Sequence, residues 1–210
     1  MLTVFSVLWG DKYNPGYVYA LRDMVKDNLT IEHEFKCVTT QHLPGIYTIN
    51  PFVPYSGWWQ KIGLFAPGIA TGPSLYFDLD VVITRNIDYL AEYTRHTFAA
   101  PANWGQSGHG GIQSSVMAWG GNWYYPYERI KDQWPSIRER LWGDQEFLTE
   151  ILDDCWERIP GIGSYKYHAR PINSMPDDIK VLVFHGKPDP HEVNDPWILP
   201  FTRTLRSLIN

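Results

Sequence analysis

Cysteine is scarce: Cys37 and Cys155 are the only two, far apart in a chain of 210 residues. Two distant thiols make neither a disulfide framework nor a zinc site, so they read as packing residues of a reducing compartment. Positive charge is not in excess either, with 18 Lys and Arg against 23 Asp and Glu and a formal net charge of -5. A nucleic-acid partner needs a basic face and is not expected, although a local basic pocket is compatible with one bound diphosphate. No stretch is apolar and uncharged for long enough to make a transmembrane segment, so a lipid-linked partner would be met only by peripheral membrane contact. Residues 1–9 have neither a basic leader region nor a small-residue cleavage site; they read as a first strand and point to a cytoplasmic protein. No repeat, low-complexity tract or linker divides the sequence, which is expected to form one domain over residues 1–210.

Aromatic side chains are abundant, at 15% with ten Trp and thirteen Tyr. Some must fill a core, but indole and phenol faces also suit sugar C–H surfaces and nucleobases. The first half alternates strand and helix patterns. Residues 2–9 form an apolar strand, residues 17–28 carry Val18, Leu21, Met24 and Val25 at helical spacing, and residues 34–39 read as a second strand. Residues 58–65 form a short helix, and 74–77 a buried strand running into Asp78-Leu79-Asp80. Later strands are expected at 97–100, 114–119 and 180–184, a glycine-rich stretch from Gly105 to Gly111, and a helix over 144–151. This alternation predicts an α/β fold with a mostly parallel central sheet.

Asp78 and Asp80 carry most of the chemistry. Two residues apart at the end of a strand, they can converge, with Leu79 facing away. Paired carboxylates in an apolar frame (four apolar positions before, Val81-Val82-Ile83 after) resist ionising together unless a cation neutralises them. An all-oxygen site of this kind suits Mn²⁺ or Mg²⁺, with phosphate and water completing the shell. A solvated acidic turn is the plainer alternative. His185 closes a second apolar run, Val181 to Phe184, and a neutral imidazole there is a candidate third metal ligand. Gly186 permits close backbone approach and Lys187 offers charge to a diphosphate. Asp144 and Gln145, after Gly143, either cap a helix or hydrogen-bond sugar hydroxyls. Lys61 is a candidate contact to phosphate or sugar, and Tyr13 a candidate to stack on a base; surface exposure and loop packing are their alternatives.

In order along the chain, Tyr76-Phe77-Asp78-Leu79-Asp80-Val81-Val82, Ser114-Ser115-Val116-Met117, Gly143-Asp144-Gln145-Glu146-Phe147-Leu148 and His185-Gly186-Lys187-Pro188 resemble the motifs of GT-A glycosyltransferases. The sequence is most similar to the glycogenin-like and lipopolysaccharide galactosyltransferase-like group and its short bacterial and phage relatives. The resemblance implies a Rossmann-like nucleotide-binding half with the base near Val7, Leu8, Trp9 and Tyr13. It implies Asp78, Asp80 and His185 as metal ligands, Lys187 on the diphosphate, and Asp144 and Gln145 beside the transferred sugar, with Ser114 and Ser115 on its pocket. It also implies a nucleotide-sugar donor, UDP-linked in this group, a carbohydrate or glycoconjugate acceptor, and retention of configuration; an inverting enzyme would need a base, and Asp144 is the first candidate. Thr39-Thr40 stands where an acidic residue is common, and Gln113-Ser114-Ser115 where an Asn is common, so base identity and one side of the sugar pocket stay open. Two other readings compete. Phe77-Asp78-Leu79-Asp80 also resembles the first motif of haloacid-dehalogenase-type phosphatases, but a strand–helix–strand unit precedes it and Leu148 stands where their second acidic residue belongs. A non-catalytic carbohydrate-binding relative would use Trp58, Trp59, Trp104 and Trp123 as a platform and need no metal.

Overall fold

A computed structural model describes residues 1–51, 54–105 and 110–209. Residues 106–109 of the glycine-rich stretch lie outside them. The chain opens as β1 (Leu2–Val7), α1 (Pro15–Asn28), β2 (His33–Val38) and β3 (Tyr47–Ile49). A 3₁₀ helix over Gly57–Phe65 then leads to β4 (Ser74–Phe77), β5 (Val81–Ile83), α2 (Leu90–Tyr93), β6 (Ala99–Ala100) and β7 (Val116–Trp119). The second half contributes α3 (Tyr125–Ile130), α4 (Trp134–Arg140), α5 (Asp144–Leu152), β8 (Glu157–Arg158), β9 (Ile162–Ser164), β10 (Val181–Val183) and α6 (Leu199–Ile209), with one π-helical turn at Tyr165–Ala169.

Seven strands form the central sheet in the order β3-β2-β1-β4-β7-β6-β8, and β7 alone runs against the rest. The mostly parallel α/β sheet expected from the alternation is present. Its central strands β1, β4 and β7 are buried on both faces, while β3 and β8 at the edges stay partly or fully exposed. Val4, Leu75 and Phe77 face α1 through Val18, Leu21 and Val25, while Phe5, Val7 and Tyr76 face the 3₁₀ helix through Trp59, Ile62 and Phe65. Asn14 accepts from Gly16 N at 2.8 Å and Pro15 occupies the first turn, so α1 begins two residues before its apolar periodicity does. Helix α6 lies against that start so closely that a Cβ on Gly16 would meet the Leu208 carbonyl oxygen at 2.5 Å.

The second sheet, β5-β10-β9, was not expected from the sequence as a separate unit. Val81 to Ile83 pairs antiparallel with β10, and β10 runs parallel to β9. Behind it Val82, Leu182 and Phe184 pack on Tyr165, Ile179 and Ile198 as a third core. The strand expected at 97–100 shrinks to Ala99–Ala100, and that at 114–119 begins at Val116, because Gln113 to Ser115 bond among themselves instead of continuing the ladder.

Several of the tryptophans are structural. Trp119 is fully buried, stacked 6.2 Å from Phe5 and 5.0 Å from Phe65, and Trp123 packs on Phe65 and Phe98. Replacing Trp119 with Ala should therefore cost about 3–5 kcal/mol, the usual loss for a fully buried large aromatic. Urea titration of native and variant chains measures it; a loss under about 1 kcal/mol would mean that this layer is not packed as described.

Candidate functional site

The strand order reverses at β1: β2 and β3 lie on one side of it, β4 and β7 on the other. In open α/β sheets the crevice beyond the carboxyl ends at such a point is where ligands bind. A cavity of about 550 Å³ opens there, lined by Val7, Trp9, Tyr13, Lys61, Asp78 and Asp80 and, opposite, by Ser114, Ser115, Asp144, Gln145, His185 and Gly186. Twelve of the fourteen residues singled out in the sequence thus meet at one place.

The two carboxylates do not sit on one strand. Asp78-Leu79-Asp80 is a turn between β4 and β5, and so between the two sheets. Asp78 N donates to Ser115 O at 2.8 Å on the central sheet, and Asp80 O accepts from Phe184 N at 2.9 Å on the small one. Leu79 does not simply face away: it is buried in the core and also borders the cavity. The pairing at Asp80 carries His185, one residue beyond Phe184, to the same cavity.

Lys61 is the electrostatic hub. Its Nζ, 5% exposed as a residue, lies 3.1 Å from Asp78 Oδ1 and 3.2 Å from Asp144 Oδ2, and donates to Ser114 Oγ at 3.3 Å. Burial pushes its ammonium toward neutrality, but Asp144 and Asp78 outweigh that and hold it firmly protonated. Asp78 also accepts from Tyr76 OH at 2.5 Å. Asp144 opens α5 and is buried; desolvation raises its pKa, against the pull of Lys61. Its Oδ2 touches Lys61 but has no hydrogen-bond partner among the described residues. Gln145 Oε1 accepts from Ser114 N at 3.3 Å, linking α5 to the approach to β7.

Asp80 is the frustrated member. Burial, then the charge of Asp78, raises its carboxyl to about 7, against partial relief from Lys12 and from Tyr13, whose OH donates to Oδ2 at 2.9 Å. Tyr13 thereby serves a carboxylate, while its ring lies 4.6 Å from Tyr17. His185 Nε2 is 2.7 Å from Ser164 Oγ and its ring stacks on Tyr167; burial and the charge of Lys166 lower its pKa, keeping the imidazole neutral.

For a divalent cation the fit is good at the carboxylates and incomplete at the histidine. The charge of Asp78 is felt at Asp80, and the two offer only oxygen, the donor set that Mn²⁺ and Mg²⁺ take. With Nε2 on Ser164, His185 has only Nδ1 for a metal, and only in the tautomer that protonates Nε2. Among the described residues no three His, Cys, Asp or Glu side chains cluster as a metal-holding group.

Two of the fourteen residues lie elsewhere. Leu8 is 2% exposed and turns into the core under α1. Lys187 Nζ points away to Asp189 at 2.7 Å and Glu192 at 2.8 Å, both in a capping box after the turn. Residues not singled out from the sequence also border the cavity: Lys12, Asn103 and Trp142 do so, and Tyr167 with them. Lys166, on the π-helical turn, reaches within 3.3 Å of the position a Cβ on Gly186 would take. Only Trp142, adjoining Gly143-Asp144, carried a positional signal; the others arrive from turns with no periodicity.

The described coordinates resemble solved glycosyltransferases. The structure of the galactosyltransferase LgtC in complex with donor and acceptor sugar analogs superposes with a TM-score of 0.68 at 14% identity, covering 100% of this chain and 97% of that one. Glycosyltransferase GlyE of Streptococcus pneumoniae TIGR4 gives 0.69 at 15% identity, over 100% of this chain and 63% of its own. The bifunctional WbbM gives 0.61 at 10% identity, over 97% of this chain and 51% of its own. No protein-family model matches the sequence, and no curated protein matches it. At these identities the likeness establishes the fold, which is the GT-A fold.

The raised carboxyl of Asp80 has a pH consequence for the chain kept free of divalent cations. An acid protonated more readily in the folded state stabilises that state at low pH, and its contribution is lost as pH rises from about 4 to about 7. In a chelating buffer, Asp80→Asn should remove part of the fall in Tm across that window. Parallel native and variant Tm curves would show that Asp80 is not strained.

Proposed function

We propose that this chain is a metal-dependent glycosyltransferase, moving a hexosyl group from a nucleoside-diphosphate sugar, UDP-linked in our reading, to a carbohydrate or glycoconjugate acceptor. The observation that carries it is the carboxylate pair of half-buried Asp78 and buried Asp80 after β4, in the switch-point cavity of a GT-A fold. Mn²⁺ or Mg²⁺ held by the pair would supply Lewis-acid neutralisation of the departing diphosphate.

The chain's own groups do the rest. Val7, Trp9 and the Tyr13 region form the wall for the base, continuing β1 into the crevice. Lys61 bridges Asp78 and Asp144 at 3.1 and 3.2 Å and orients both carboxylates. Asp144 Oδ2, paired with Lys61 at 3.2 Å, has a further lone pair that a donor-sugar hydroxyl would meet, and Gln145 accepts from the Ser114 backbone beside it. Asp144 is bound to Lys61 and buried, which suits holding a sugar better than exchanging protons with an acceptor, and so favours retention over inversion.

The diphosphate charge in this reading falls to Lys166 rather than Lys187. Lys166 makes no ion pair among the described residues and overhangs Gly186 at the cavity edge, whereas Lys187 is already neutralised by two carboxylates.

Two measurements test these assignments. In a thermal-shift screen, a nucleoside diphosphate should raise Tm only with Mn²⁺, and Asp80→Asn should erase the metal-dependent part. A shift indifferent to both would remove the metal-ligand role. By calorimetry in Mn²⁺, Lys166→Ala should weaken that diphosphate about tenfold, roughly the worth of one charge-assisted hydrogen bond. Lys187→Ala should leave it within about twofold; the opposite ranking would return the phosphate to Lys187.

A further inference from the structure

A second cavity of about 760 Å³ lies beside the first, and the two share Trp9, Trp58, Trp142 and Glu146 as a common wall. Its far side is the end of α4, with Arg138, Glu139 and Arg140. The wall is built to stand. Trp58 lies edge-on to Trp9 at 6.2 Å, its Nε1 donates to Trp142 O at 3.4 Å, and Trp142 N donates to Glu146 Oε2 at 2.5 Å. Gly143 leaves room for this, since a Cβ there would come within 2.7 Å of Trp58 Nε1. Yet Trp58 is 40% exposed and Trp142 is 80% exposed. Trp58 is held through its ring and Trp142 through its backbone, and two such exposed indoles on the rim of the first cavity offer apolar surface for stacking.

The polar groups across from the platform differ in availability. Arg140 is forked onto Glu150. Arg138 makes no ion pair among the described residues and only overlies the Trp134 ring at 5.9 Å. It can donate to ring oxygens or to an acidic substituent. Indole faces beside a free guanidinium match a pyranose, with its C–H face on one side and its oxygens at the edge.

We propose that this second cavity is the acceptor subsite for a saccharide of at least two sugar units. The reacting unit enters the first cavity beside Asp144 and Gln145, and the following units cross Trp142 to lie between Trp58 and Arg138. The proposal rests on the transferase reading above, and continuity of the two cavities is what selects a glycan over an unrelated ligand.

The test uses the full chain with Mn²⁺ and the nucleoside diphosphate that gives the largest thermal shift. It is applied to an array of defined neutral and acidic oligosaccharides, and the best ligand is then titrated as its mono-, di- and trisaccharide. Native affinity should rise about tenfold or more from mono- to trisaccharide. Arg138→Ala and Trp142→Ala should flatten that rise, while the diphosphate shift of Arg138→Ala, which reports the other cavity, stays native. Equal length dependence in native and variant chains, or no array ligand for a chain that binds diphosphate, would overturn the subsite. A native chain that binds no nucleoside diphosphate would instead overturn the transferase reading.

Discussion

Three carboxylates, Asp78, Asp80 and Asp144, face one buried ammonium, that of Lys61, at the end of the central sheet. Much of the site's architecture answers that imbalance. Charges are removed from water only at a large cost unless paired, and here pairing is complete for Lys61, partial for Asp78 and Asp144, and worst for Asp80. In the function proposed above, added positive charge is placed at this excess of carboxylate. In that proposal a cation on the carboxylates would relieve the burial and repulsion that raise the Asp80 carboxyl.

That arrangement depends on a turn shared by two sheets. Asp78 is fastened to Ser115 and Asp80 to Phe184, so each carboxylate is positioned by a different ladder. The turn can neither open toward solvent nor collapse inward without breaking one of them. The same fastening brings the small sheet's far end, with His185, Gly186 and the Lys166 turn, across from Lys61 and α5. The 3₁₀ helix contributes Trp58 and Lys61 to the cavity lining, and α5 contributes Asp144, Gln145 and Glu146.

The aromatic content divides along the same line. Trp59, Trp119 and Trp123 pack into the core on the face covered by the 3₁₀ helix. Trp9, Trp58, Trp104 and Trp142 border the first cavity instead. The four indoles considered for a carbohydrate-binding relative therefore part company: Trp58 and Trp104 line the first cavity, Trp59 is buried and borders only the second, and Trp123 lines neither. Residue type could not distinguish them, because an indole serves both uses, and only burial decides.

The sequence alone determined the mostly parallel sheet, through its apolar runs and helical spacing, and the identity of most residues at the site. Asp78, Asp80, Asp144 and His185 were legible because each ends or begins an element with an abrupt change from apolar to polar, and such boundaries are where a sheet meets its crevice. The partition of strands into two sheets was not legible, since Val81 to Ile83 and Val181 to Val183 are short runs whose pairing depends on residues a hundred positions away. Lys187 and Lys166 show the same limit. In sequence Lys187 adjoins His185 and Lys166 does not, yet two carboxylates two and five residues along turn Lys187 outward, while the π-helical turn brings Lys166 over Gly186. Where each ammonium ends up is a matter of side-chain direction and competing partners, and those exist only once the chain is folded.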